Sequence, residues 1–335
     1  MRFGWHGMRP VAGLLCAAAL AALGAEAGTG KLYRYFLAGN SADVQSTPTA
    51  GYLLAGGGDT PEDAFRWFLT KAGGGDVVIL RASGDGTLNS DFRRLASVDS
   101  VETLLFRSAE AARDPFVVER IRHAEALFIA GGDQWNYVRM WRGNAVGAAI
   151  DELIAKGVPV GGTSAGLAVL GEFAFSAEHD TVTSKQALAN PFDARVTVTD
   201  NFLHIPVLRG IITDSHFGKR DRMGRSLVFL ARIFQSGKAG PVSGIGVDEG
   251  SAVLVEGDGA ATVSGPGYAY FLRADRGPET CTSGRPLSFR EISVYRLGRG
   301  GTFDLKKWAG SGGTDYTLSV EDGTVTSTQA GGSIY

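Results

Sequence analysis

Residues 158–170 read VPVGGTSAGLAVL: a short apolar run, a turn written Gly162-Thr163-Ser164-Ala165-Gly166, and an apolar segment that begins like a helix. A strand feeding a helix through small residues is the local pattern of a parallel sheet, whose strands need crossovers that are usually helical. Working outward toward the N-terminus, the pattern repeats. Residues 126–130 (ALFIA) form a strand-like run that ends in Gly131-Gly132-Asp133-Gln134 and opens a helix through Trp135, Val138, Trp141 and Ile150. Residues 115–124 have helical spacing and 101–106 read as a strand. Residues 76–81 (DVVILR) are the β-branched run expected of a strand buried on both faces. Residues 52–55 form an apolar run closed by Gly56-Gly57-Gly58, after which Thr60, Pro61 and Asp63 mark the start of a helix through Phe65, Trp67 and Phe68. The expected fold class is α/β, a mostly parallel sheet with helices on both faces.

Toward the C-terminus a mixed region runs to about residue 210, and 222–233 carry an apolar stripe at helical spacing. Beyond Gly244, short β-rich runs alternate with glycine turns at 252–256, 268–272, 291–297 and 316–320. No linker demands a second domain. The expected organisation is a leader at 1–27, a catalytic α/β domain at 28–260, and a β-rich C-terminal extension of that domain at 261–335. The leader has Arg2 and Arg9, an apolar stretch at 11–23 and the small-x-small pattern Ala25-Glu26-Ala27, so export with cleavage before Gly28 is expected, to the periplasm or the outside of the cell. The apolar stretch falls short of the ~20 residues that span a bilayer, so no stable membrane insertion is expected after its removal. Cys281 is then the one remaining cysteine, which rules out an internal disulfide. A chain of 335 residues, 44% hydrophobic and with a formal charge of −2, has a globular balance and no charge that calls for nucleic acid.

The turn at Ser164 is a G-x-S-x-G pattern in a strand-then-helix context. There a sharp reversal exposes a serine hydroxyl at the carboxyl end of a sheet. The N–H of Ala165 would sit at a helix start, ready for a developing oxyanion, and Gly132 at the other glycine turn is a second such donor. The same residues also fit a glycine-rich helix start capped by serine and a plain turn capped by Asp133. Among the five histidines, His216 ends the β-branched run at 210–213, where a general base for a neighbouring serine belongs, although a structural imidazole fits there too. His123 lies among charges, His179 in a polar turn and His204 in an apolar stretch. After His216 comes the basic segment 218–225 (GKRDRMGR), in which Arg222 and Arg225 share a helix face. It reads either as a solvated face or as a site for substrate carboxylates. No cysteine or histidine accompanies His216 at metal-ligand spacing, and no nucleotide fingerprint is present, so neither metal nor cofactor is expected.

Together, AGGDQ (130–134), GGTSAG (161–166), ITDSHFGKRDRMGR (212–225) and GIGVDEGSA (244–252) resemble the cyanophycinase branch of the dipeptidase E-like serine peptidases. The resemblance implies a flavodoxin-like sheet related to class I glutamine amidotransferases. It also implies Ser164 as nucleophile, His216 as base, and Gln134, Asp214, Arg220, Arg222 and Arg225 around the substrate. The third, acidic residue is expected at Glu178, with Asp180 as the alternative. The family's usual glutamine before the histidine is Ser215 here, which alters that part of the expected substrate site. The implied activity is serine-type exopeptidase hydrolysis of β-aspartyl (isopeptide-linked) acidic peptides, cyanophycin foremost, an aspartate polymer with arginine on each side-chain carboxyl. The product expected is the β-Asp-Arg dipeptide, with a homodimer left open. An α/β-hydrolase esterase is the alternative enzyme, but it wants a histidine late in the chain and none follows His216. A non-catalytic peptide-binding relative is the other alternative.

Overall fold

The computed structural model describes residues 25–335. The charged and apolar parts of the expected leader lie outside the described residues, and the expected cleavage point falls within the strand Ala25–Thr29. Five strands form a parallel core: β1 (Gly51–Ala55), β2 (Val77–Arg81), β3 (Ser100–Phe106), β4 (Ala126–Ile129) and β5 (Val160–Thr163), in the order β3-β2-β4-β5-β1. Antiparallel strands extend this sheet at both ends to eleven: Tyr33–Gly39 beside β3, and Ala252–Glu256 beside β1, with further short strands beyond each.

The core strands show why helices cover both faces. Val77 and Ile79 pack with α1 (Glu62–Thr70) and α2 (Thr87–Leu95), whereas Val78 and Leu80 pack with α3 (Pro115–Arg122), α4 (Gln134–Trp141) and α5 (Ala145–Ala155). Alternate side chains thus enter two apolar layers, so the strand must be apolar throughout. The helix expected through 135–150 divides in two. Asn144 interrupts it, because its Oδ1 accepts from the N–H groups of Val146 and Gly147 and so starts α5 afresh. At α1 it is Pro61, not Thr60, that precedes the first helical residue, and no side chain caps it.

A second, six-stranded sheet begins with β6 (Ile211–Asp214) and β7 (Val242–Val247), which are parallel, and continues antiparallel through Ala269–Ala274, Phe289–Leu297, Thr314–Glu321 and Thr324–Ser327. It draws strands from both sides of residue 260, while Thr302–Asp304 returns to the first sheet. Preceding this sheet's crossover helix is α6 (Ser184–Ala189). The crossover itself is α7 (Met223–Gln235), which buries Leu227, Val228 and Leu230 with Val242, Leu272 and Phe289. Among the described residues, no helix is long and apolar enough to cross a membrane.

Candidate active site

The two sheets meet at the segment that follows β1, where glycine is required. The carbonyl of Ala55 accepts from Ser164 N at 3.1 Å, that of Gly56 from His216 N at 2.8 Å, and that of Gly57 from Gly250 N at 2.8 Å. Three successive carbonyls therefore hold the ends of β5, β6 and β7 in one place. A Cβ on Gly56 would overlap the Asp248 carbonyl, and one on Gly57 would overlap the His216 imidazole; Gly57 also takes φ +93°.

Ser164 follows β5 in a left-handed conformation with φ +55°. The turn closes through Gly166 N to Thr163 O at 2.8 Å, and Gly162 and Gly166 lie too close together for a Cβ on Gly162. The segment after the serine is a single 3-10 turn, Leu167–Val169, shorter than the helix expected, because the chain turns away at Gly171 into the second layer. The Ser164 Oγ lies 2.6 Å from His216 Nε2. On the opposite ring edge, His216 Nδ1 lies 2.6 Å from Glu249 Oε1, two residues beyond β7. A carboxylate at Nδ1 keeps the proton there and leaves Nε2 free to accept from the serine. Lys219 Nζ in turn holds Glu249 Oε2 at 2.7 Å.

Glu178 is therefore not the acid at the histidine. Its own side chain is exposed in the loop before α6, with its N–H held by Ser176 Oγ and Thr197 Oγ1, and Asp180 is exposed beside it. Glu249 lay unread inside GIGVDEGSA, although the rule that singles out His216, a polar group just past the end of a strand, applies to it equally.

The electrostatics suit proton transfer. Burial lowers the His216 pKa, the hydrogen bond that its Nδ1 donates to Glu249 opposes this, and the charges of Arg220 and Arg222 lower it further; the net shift is downward. His216 is thus neutral, and able to accept a proton, below the pH at which an ordinary histidine would be. Glu249 is held below the usual carboxylate range by its hydrogen bonds to Lys219 and His216. Among the described residues, the N–H groups of Ala165 and Gly132 donate to no protein acceptor. Gly131 lies against the serine, since a Cβ on Gly131 would lie 3.4 Å from Ser164 Cβ and 3.9 Å from its Oγ.

A cavity of about 550 Å³ opens beside this turn, walled by Gly132, Gln134, Glu178, Asp180, Arg220 and Arg222 among others. Arg220, Arg222 and Arg225 all line this cavity, but they are engaged differently. Arg225 is buried and saturated: its Nε and Nη2 hold both oxygens of Asp214, at 2.8 and 2.6 Å, and its Nη1 reaches Thr181 Oγ1. Arg222 Nη1 bonds Asp214 and the Ser215 carbonyl, and burial pushes its pKa down to about 10. Burial works to raise the Asp214 carboxyl, but the two guanidiniums outweigh it and hold it low. Asp214 and Ser215, expected at the substrate, are buried beneath the cavity and serve as its footing. Of the three arginines Arg220 is the exposed one, with its Nε 3.8 Å from Glu249 Oε1. His123 and His204 are surface partners of Asp43 and Asp151. Among the described residues no group of three or more histidine, cysteine or acidic side chains could hold a metal.

A family model described as peptidase family S51 matches residues 93–263, half of the chain, and so includes Ser164, His216 and Glu249. The chain is 26% identical over 280 residues to a cyanophycinase of Synechococcus elongatus, covering 76% of this chain and 80% of that protein. It is 25% identical over 270 residues to a cyanophycinase of Geminocystis herdmanii, covering 76% and 93%. The crystal structure of a peptidase from an acI-B1 Actinobacterium shares the fold, with a TM-score of 0.52 at 16% identity over 78% of this chain and 98% of that one.

Proposed function

Because this chain belongs to peptidase family S51, we propose that Ser164, His216 and Glu249 form the catalytic triad of a serine peptidase that acts on β-aspartyl (isopeptide-linked) peptides, cutting the main-chain amide at a β-substituted aspartate and leaving the isopeptide bond intact. The continuous hydrogen-bond relay from Ser164 Oγ through His216 to Glu249 carries this reading. His216 Nε2 takes the serine proton as Oγ attacks the scissile carbonyl, and Glu249 stabilises the imidazolium that results. The N–H groups of Ala165 and Gly132 receive the oxyanion. His216 then delivers the proton to the leaving amine, and water, deprotonated by the same nitrogen, releases the acyl group from Ser164. The chain order Ser–His–Glu departs from the Ser–acid–His order of the α/β-hydrolases, which counts against the esterase alternative. The order β3-β2-β4-β5 supports reading the parallel core as flavodoxin-like, with β1 in the fifth place.

The cavity supports a substrate of mixed charge. Arg220 offers a cation for the free carboxylate of an isopeptide-linked arginine, and Glu178 and Asp180 offer anions on another part of the wall. Cyanophycin, cut by an exopeptidase to β-Asp-Arg, supplies both charges. The relatives named cyanophycinase support the same substrate. The test is incubation with cyanophycin, with isoaspartyl dipeptides and with their α-linked isomers, followed by mass spectrometry. Release of β-Asp-Arg with its isopeptide bond intact is expected; release of free arginine, or cleavage confined to peptides with no β-linked aspartate, would overturn the assignment.

A further inference from the structure

Tyr335 lies beyond the residues that the family model matches, yet it is built into the loop that carries the base. Its hydroxyl donates to Asp221 Oδ1 at 2.9 Å and accepts from the N–H of Met223, the first residue of α7, at 3.0 Å. Its ring stands edge-on to Phe217, with centroids 6.2 Å apart, and to Tyr270 at 5.8 Å. These partners bracket the loop 217–222, which bears Lys219 and Arg220 and follows directly on His216. Tyr335 is itself anchored, since Gln329 Nε2 and Ser333 Oγ both donate to its carbonyl and Tyr316 Oη donates to Ile334 O.

We infer that Tyr335 is a positioning residue for the Ser164–His216–Glu249 relay, an inference that rests on the triad reading above. Asp221 sits in a left-handed conformation, φ +47°, one residue from Arg220 and two from Lys219. Its carboxylate is engaged by the Tyr335 hydroxyl. Freed from that hydroxyl, it competes with Glu249 for the same two cations. Drawing Lys219 off Glu249 and Arg220 away from the imidazole changes the field at His216. The groups that face this ring are Ser164 and Glu249, the backbone of Gly57, and Arg220 and Arg222 from its own loop. Withdrawing the cations leaves Glu249 to favour the imidazolium, so a higher pH is needed to keep His216 neutral.

The test is the rate at which a phosphonofluoridate modifies Ser164, followed by intact-protein mass spectrometry across pH. In this reaction the Oγ–P bond forms, the P–F bond breaks and the serine proton passes to His216. It therefore reads the relay without reference to any peptide. Tyr335→Phe keeps the ring; it is expected to slow modification about tenfold and to move the acid midpoint to higher pH, with thermal stability little changed. Tyr335→Phe combined with Asp221→Asn, which removes the competing carboxylate, is expected to recover most of the loss. A Tyr335→Phe protein indistinguishable from the parent, or a double variant with no recovery, would overturn the inference. Failure of the parent itself to be modified at Ser164 would overturn the triad reading and this inference together. Modification without cleavage of β-aspartyl peptides would sink only the substrate assignment.

Discussion

Ser164 and His216 both occupy the left-handed region, at φ +55° and +48°, where side chains other than glycine are uncommon. Such backbone persists only where the surroundings hold it, here the carbonyls of Ala55 and Gly56. The two residues whose side chains do the proposed chemistry are thus the two aimed by strained backbone. Glu249→Gln keeps the shape of the side chain but removes its charge, and should lower kcat by about 10⁴-fold if it behaves as the acid of a serine triad does. Glu178→Gln should leave kcat near the parent value and raise KM for cyanophycin, but not for an aspartate polymer whose side chains carry no cationic group. Steady-state kinetics on the two polymers check both, and a kcat collapse at Glu178 with none at Glu249 would restore Glu178 as the acid. The direction of the His216 shift has its own signature. The acid limb of the pH profile of kcat/KM should have its midpoint below the ordinary histidine value, and a midpoint above it would show that Glu249 outweighs burial. Ser164 and His216 were legible in the sequence because each ends an apolar run beside small residues. Glu249 was missed because the acid was sought close to the serine in sequence, whereas the fold delivers it from the following strand.

Among the elements, Gly56-Gly57-Gly58 was read as a turn, and its larger role became visible only in three dimensions. Nothing local to residues 51–60 reveals that an imidazole from residue 216 will lie on Gly57. Gly57→Ala should therefore cost more than about a hundredfold in kcat/KM while the parallel core still folds, as circular dichroism and activity together would register. The basic run at 218–225 was legible as cationic but not as divided, because the buried acid that takes up Arg222 and Arg225 is Asp214 on β6, an element away. Arg225→Ala leaves Asp214 with one guanidinium instead of two and should cost about 3–5 kcal/mol of stability, seen as a lower denaturation midpoint rather than a raised KM. At the opposite end of the sheet, burial near Asp76 pushes the Glu125 carboxyl up to about 7. A carboxyl raised on folding contributes stability below its unfolded pKa and loses it as pH rises through the folded value. Glu125→Gln should accordingly raise the melting temperature above pH 7 relative to the parent, with the advantage shrinking toward pH 5. An advantage that grew toward acid would contradict the assignment.

For the molecule as a whole, the site is a seam: Ser164 comes from the eleven-stranded sheet, and His216 and Glu249 from the six-stranded one. The parallel core was legible because most of its strands are short apolar runs punctuated by glycine, β3 being the exception with Ser100, Glu102 and Thr103 buried in it. The second sheet was not, because its members β6 and β7 look like more of the same alternation and only pairing tells which sheet they join. The leader reading carries a separate expectation, that the exported protein begins at Gly28, which mass spectrometry of the mature N-terminus would check. The nucleophilic role of Ser164 is checked by measuring β-Asp-Arg release from cyanophycin by the parent and by Ser164→Ala under identical conditions. Release by the parent is expected, with a loss of about 10⁶-fold in kcat in the variant and the melting temperature preserved. Comparable release by Ser164→Ala would rule Ser164 out as the nucleophile.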